Sequence, residues 1–117
     1  MALNTMAKFY YGHNVTSSNS KIDFNEGASD LVATLNVGDY SLTEYVAEIQ
    51  RALNDSGALT YTASVDRSTR YITIAASGTF SLKAATGDNV SNAIWTLAGF
   101  AATDVSGAAT YTGTSGS

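Results

Sequence analysis

The sequence predicts an α+β fold that is mostly antiparallel β, two hairpins and a short strand, with one amphipathic helix packed on the sheet and a short second helix. Three observations carry that expectation. A single helical period runs through Leu42, Tyr45, Val46, Ile49 and Leu53, at i, i+3, i+4, i+7 and i+11. Two pairs of alternating apolar and polar runs are each separated by a cluster of turn-forming residues. Proline is absent while glycine occurs 10 times, so turns fall to Gly, Asn, Asp and Ser.

The helix has a marked start. Ser41 followed three residues later by Glu44 is a capping box, in which each side chain takes an otherwise orphaned backbone N–H. Tyr40 and Tyr45 stand where a hydrophobic staple closes. Asn54-Asp55-Ser56-Gly57 ends the period, with Gly57 suited to a left-handed stop. Thr43, Glu44, Ala47, Glu48, Gln50 and Arg51 are expected on the outer face, where they form neither a metal-ligand pair nor a basic stripe.

The first hairpin joins Lys21–Asn25, with Ile22 and Phe24 on one face, to a run in which Leu31, Ala33 and Leu35 alternate with Val32 and Thr34. Asp23, Asn25, Glu26 and Asp30 lie close in sequence but lack the spacing of a calcium-binding loop, and read as solvated strand and turn residues. The second hairpin joins Tyr61, Ala63 and Val65 through Asp66-Arg67-Ser68-Thr69 to Arg70–Ala75, with Ile72 and Ile74 inward. A separate short strand follows at Thr79–Leu82, with Phe80 and Leu82 inward. Ser91–Phe100 reads as a short helix capped by Ser91 or Asn92 and ended by Gly99, with Ile94, Trp95, Leu97 and Phe100 sealing the core. The chain divides into residues 1–20, an N-terminal arm or edge strand with a polar loop over Asn14–Ser20, a core domain over 21–100, and a small-residue arm or loosely held strand over 101–117 anchored by Val105 and Tyr111.

Composition narrows the function. A chain of 117 residues is one domain with room for one core. It has no cysteine, which excludes disulfides, thiol chemistry and thiolate metal sites. Ten acidic against 6 basic residues, a net charge of −4, argues against a nucleic-acid footprint. No apolar run approaches a membrane span, and Met1–Lys8 lacks the regions of a signal peptide, so synthesis in the cytoplasm is expected. His13 is the only histidine and lies in the segment read as flexible; no phosphate loop or nucleophile elbow is present, and a domain of this size leaves little room for a cleft between two carboxylates. The expectation is a protein without catalytic residues, cofactor, metal or small-molecule substrate. Only 14% of residues are charged while Ser, Thr, Ala and Gly abound, a bland surface of the kind that packs side by side in many copies.

Several short motifs recur here in a telling order: Lys21–Gly27, Gly38-Asp39-Tyr40 entering the helix, Ala52-Leu53-Asn54 closing it, Tyr61–Asp66, Arg70–Ile74, and Leu97-Ala98-Gly99-Phe100. That order resembles a module of virion structural proteins of tailed bacteriophages, many associated with the tail or neck. The resemblance implies a multi-copy virion subunit whose partners are copies of itself and other virion proteins. A capsid decoration protein and a receptor- or glycan-binding module at a fibre tip are the alternatives, the last suggested by Tyr10, Tyr11, Tyr71 and Tyr111 as aromatic anchors. Phe9, Tyr10, Tyr11, Arg67, Arg70, Tyr71 and Tyr111 are the candidate interface residues.

Overall fold

The computed structural model describes residues 12–117; Phe9, Tyr10 and Tyr11 lie outside the described residues. It is an α+β fold of seven antiparallel strands with one main helix on the sheet. Strands β1 (His13–Val15) and β4 (Gly38–Tyr40) form a two-stranded ribbon, while β2 (Lys21–Asn25), β3 (Asp30–Thr34), β5 (Tyr61–Val65), β6 (Ile72–Leu82) and β7 (Val105–Thr112) form the main sheet. Both expected hairpins are present. Ile22 faces Ala33 and Phe24 faces Leu31 in the first; Ala63 faces Ile74 and Val65 faces Ile72 in the second.

Strand β6 is longer than expected. It runs unbroken through Ala76-Ser77-Gly78, because Ser77 donates its N–H to the Thr60 carbonyl and its Oγ accepts the Thr60 N–H. These bonds keep the chain extended where two separate strands were expected. The result is a strand long enough to serve three neighbours. Ala75 lies between Thr62 of β5 and Thr110 of β7, and Leu82 lies between Phe24 of β2 and Val105 of β7. Hence β5 and β2 take successive halves of one edge of β6, and β7 takes the other. Where β2 and β5 part, Glu26 fills the fork: its carboxylate accepts the N–H groups of Ala58 (2.9 Å) and Leu59 (3.1 Å) and the Tyr61 hydroxyl (2.7 Å).

Helix α1 (Leu42–Ser56) begins with the expected capping box: Ser41 Oγ accepts from Glu44 N–H and Glu44 Oε1 accepts from Ser41 N–H. Tyr45, Val46, Ile49, Ala52 and Leu53 are buried against β5 and β3. Two details of the helix differ from expectation. Gly57 is extended (φ −101°) rather than left-handed, and its N–H still closes the last turn on the Leu53 carbonyl. Glu48, expected on the outer face, is buried, because the chain after β3 crosses the helix there and Asn36 N–H needs an acceptor.

The predicted helix over 91–100 is split into a 3₁₀ turn (Val90–Asn92) and a four-residue helix α2 (Trp95–Ala98). The break lies at Ala93-Ile94, where Ala93 bridges Lys21 and Ile94 N–H bonds the Lys21 carbonyl. Neither Ser91 nor Asn92 caps it. Gly99 does end it in the left-handed conformation (φ 79°), and a Cβ there would stand 2.2 Å from the Ser115 carbonyl oxygen. Ile94 and Trp95 are buried as expected.

Residues 13–15 and 105–117 are more structured than a reading as loop and arm. The polar loop expected over Asn14–Ser20 begins two residues late, since His13–Val15 pairs with Gly38–Tyr40 and Val15 is fully buried. Residues 105–112 form a full strand on β6, and the chain beyond it is tied down by Gly113 N–H to Ile72, Thr114 and Ser115 N–H to Gly99, and Ser117 N–H to Arg70.

Two measurements check this packing. Leu53→Ala removes a fully buried side chain at the helix–sheet seam and is expected to lower stability by about 2–5 kcal/mol, read as an earlier urea midpoint with an unchanged slope. Glu26→Ala leaves three donors at the fork without their acceptor and is expected to lower stability by about 2 kcal/mol. In hydrogen exchange the Ala58 and Leu59 amides should lose protection first.

Candidate functional site

The acidic residues are largely engaged in holding loops. Asp23, expected to be solvated, is buried; it accepts from Asn89 N–H and Asn89 Nδ2 (both 2.8 Å) and so fastens the 83–89 loop to β2. Gly87 passes so close above it that a Cβ would meet Asp23 Oδ2 at 2.3 Å. Glu48 is held below the usual carboxylate range by its bonds from Arg51 (2.6 and 2.9 Å) and by Asn36 N–H, which outweigh its burial. Burial pushes the Glu26 carboxyl up, and the bonds from Ala58, Tyr61 and Leu59 together more than reverse it. Asp104 is held low mainly by the Thr86 hydroxyl and by Ala85 N–H. Among the described residues no group of three His, Asp or Glu stands close enough to hold a metal ion, and no helix is long and apolar enough to cross a membrane.

The sheet edges are treated unequally. The outer edge of β5 is covered by α1 side chains: Gln50 Oε1 accepts from Ala63 N–H, and Asn54 bonds both the N–H and the carbonyl of Tyr61. On β3 the Thr34 carbonyl accepts from Arg51, and exposed Asp30 sits at the strand's start. Strand β7 pairs only with β6 among the described residues. Its sequence, VSGAATYT, holds no charge and no proline, the devices that ordinarily blunt an edge. Its register with β6 shifts twice, between Ala75 and Phe80 and between Phe80 and Leu82, the second opposite Gly107 (φ 85°). The adjoining outer face of the sheet is a ladder of small side chains, Thr62, Ala75 and Thr110 in one row and Ser64, Thr73 and Thr112 in the next. Thr73 and Thr112 hydroxyls bond across it at 2.9 Å.

At the opposite end of the second hairpin a cavity of about 240 Å³ opens between its turn, β1 and the start of α1. Arg67, Arg70, His13, Ser41, Leu42 and Thr43 line it. Arg70 holds a left-handed backbone (φ 63°), a conformation ordinary side chains avoid. Its Nε donates to the Ser117 carbonyl oxygen at 2.8 Å. His13 is buried, its ring stacked on Tyr45 at 4.6 Å between centroids. Its Nε2 stands 2.8 Å from Ser117 Oγ. Since the Ser117 hydroxyl donates its one proton to the Leu97 carbonyl, Nε2 is the donor and carries the hydrogen. Nδ1 is then a bare acceptor, without a partner among the described residues. Burial, with the nearby Arg70 charge, lowers the His13 pKa below its ordinary 6.5.

The structure thus unites two of the predicted interface residues, Arg67 and Arg70, and adds three features that local sequence did not signal: His13, the free N–H groups of α1, and Ser117. The His13–Val15 alternation, apolar on the buried parity, was the one available sign. Tyr71 is 37% exposed at the hairpin, whereas Tyr111 turns into the core, edge-on to Phe80, with its hydroxyl donating to the Phe80 carbonyl. These two tyrosines therefore share no aromatic face. Tyr111 instead lines a second, smaller cavity with Leu82, Trp95, Phe100 and Val105.

No protein-family model matches the chain, and no curated protein matches it.

The neutral, buried His13 makes stability depend on pH. The unfolded chain protonates it near pH 6.5 and the folded chain only at lower pH, so its contribution is complete above that value and is lost as pH falls below it. As the one histidine, it is the side chain whose ordinary pKa lies in that range. The thermal midpoint is expected to fall between neutral pH and the onset of carboxylate titration, and the decline should flatten in His13→Phe, which keeps the stack on Tyr45.

Proposed function

We propose that the chain is a non-enzymatic structural subunit of a tailed-bacteriophage virion, present in many copies at the tail or neck, where it associates with itself and with other virion proteins. The observation that carries this reading is the β7 edge, free of charge and proline, beside a charge-free ladder of Thr, Ser and Ala. Free N–H and C=O groups along such a strand offer a neighbour's backbone its hydrogen bonds without desolvating any charge. The small side chains of the flanking face let a second copy approach closely. The order of motifs from Lys21 to Phe100 supports the virion assignment, and the engagement of acidic side chains in internal loops leaves a surface suited to side-by-side packing.

Light scattering coupled to size exclusion, with negative-stain imaging, checks the assembly. The native chain is expected as a ring, fibre or large oligomer. Ser106 and Thr110 are exposed positions on β7, so Ser106→Lys with Thr110→Lys should shift it to smaller species while changing stability by only about 0.5 kcal/mol. A native chain that stays monomeric at high concentration would sink the reading, and binding only to assembled capsids would move the subunit from tail or neck to the capsid surface.

A further inference from the structure

Over Thr110–Thr112, clear of both register shifts, β7 pairs regularly with β6, and this pairing fixes which of its backbone groups face outward. Gly113 N–H bonds the Ile72 carbonyl. In the unbroken register that follows, Tyr111 opposite Ile74 is again a hydrogen-bonded pair, while Thr110 opposite Ala75 and Thr112 opposite Thr73 are the alternate, non-bonded pairs. The hydroxyl contact of Thr73 with Thr112 at 2.9 Å agrees, since side chains stand closest at non-bonded pairs. The N–H and C=O groups of Thr110 and Thr112 therefore point away from β6, and none of them has a partner among the described residues. The N–H groups to either side are committed: Ala108 to the Tyr111 hydroxyl at 3.0 Å, and Thr114 to the Gly99 carbonyl at 2.8 Å.

A patch of this kind is self-complementary in a single antiparallel register. Centred on Tyr111, it sets Thr110 against Thr112 of a second copy and Thr112 against that copy's Thr110, so every outward N–H and C=O of both residues is bonded. Centred on Thr110, it would set Thr112 against Ala108 of the second copy; centred on Thr112, it would set Thr110 against Thr114. Each of those registers faces a free carbonyl with a committed N–H. The Tyr111 register also places exposed threonines opposite one another on the outer face, a favourable cross-strand pair. Copies that each carry a net charge of −4 meet there with no charge to desolvate or oppose. We propose that β7 pairs with β7 of a second copy, antiparallel and two-fold symmetric about Tyr111, with Thr110 and Thr112 exchanging hydrogen bonds in both directions. This rests on the self-association proposed above and gives it a partner strand and a register. A two-fold contact closes at two copies, so a ring or fibre is built from such pairs through a further surface.

The chain has no cysteine, so single cysteines introduced on β7 report the register. Across the proposed contact the Cα atoms of positions 110 and 112 stand about 5.5 Å apart, within disulfide range, whereas each position lies about 7–8 Å or more from its own counterpart, which a disulfide does not span. Full chains carrying Thr110→Cys and Thr112→Cys, mixed under mild oxidation, should therefore give a disulfide-linked dimer. That band should be lost in either variant alone, and in either mixed with Ser68→Cys, an exposed position on the far turn. Both substitutions on β7 replace exposed side chains, and the reduced variants should keep the native thermal midpoint. Disulfides that form best within Thr110→Cys alone or within Thr112→Cys alone would mark another register and overturn the proposal. Large assemblies in light scattering with no disulfide in the mixture would overturn it too, while leaving the assembly reading intact. A mixture that links, from a native chain that never exceeds a dimer, would support the two-fold contact and count against the multi-copy subunit instead. A native chain that stays monomeric, with no disulfide in the mixture, would end both.

Discussion

The fold depends on one long strand having three partners. Strand β6 can hold β5 and β2 on the same edge only if the gap between them is closed, since both neighbours leave backbone groups facing each other at the point of divergence. Glu26 closes it with three hydrogen bonds reaching across more than thirty residues of sequence. With that fork shut, β2, β5 and β6 present a continuous apolar floor of Ile22, Phe24, Tyr61, Ile72, Ile74, Phe80 and Leu82, all fully or almost fully buried. Helix α1 then covers the floor, and its Gln50 and Asn54 seal the β5 edge as it does so. Sheet closure, core and helix placement are thus one coupled arrangement.

Charge is used inwardly in this chain. Asp23, Glu26, Glu48 and Asp104 each accept backbone N–H groups of a loop distant in sequence. A carboxylate with several such donors makes stronger bonds than a neutral acceptor does. This explains how a domain with few charges and many glycines keeps its loops in place without proline or disulfides. It also leaves two aspects of the surface to any function: the charge-free β7 side, and the cationic cavity at the far turn, where neither Arg67 nor Arg70 forms an ion pair among the described residues.

The elements were largely legible before their arrangement was. The helix and both hairpins could be read because their signals are local: a capping box three residues apart, a stripe of period 3.6, alternation of period 2 beside turn residues. The errors share one cause. Ser77 continues β6, Lys21 breaks the second helix, Asn36 draws Glu48 inward and β4 captures His13–Val15, and in each case the deciding partner lies elsewhere in the chain. Tyr111 was legible as an apolar anchor but not as a core-facing ring, because its orientation is set by pairing with Ile74 on β6.

The candidate site divides the same way. Arg67 and Arg70 stood out as a local charge cluster, but nothing near them in sequence says that a helix N-terminus and a buried imidazole share their cavity. By itself the sequence determined the α+β class, the start of α1, the two hairpins and the small-residue surface, since each follows from propensity and periodicity along a short window. Only the tertiary structure decided which sheet edge lacks a partner among the described residues, which carboxylates hold loops, and that His13 is buried against Tyr45. Hydrogen-bond satisfaction is a property of groups brought together in space, and it chose those outcomes.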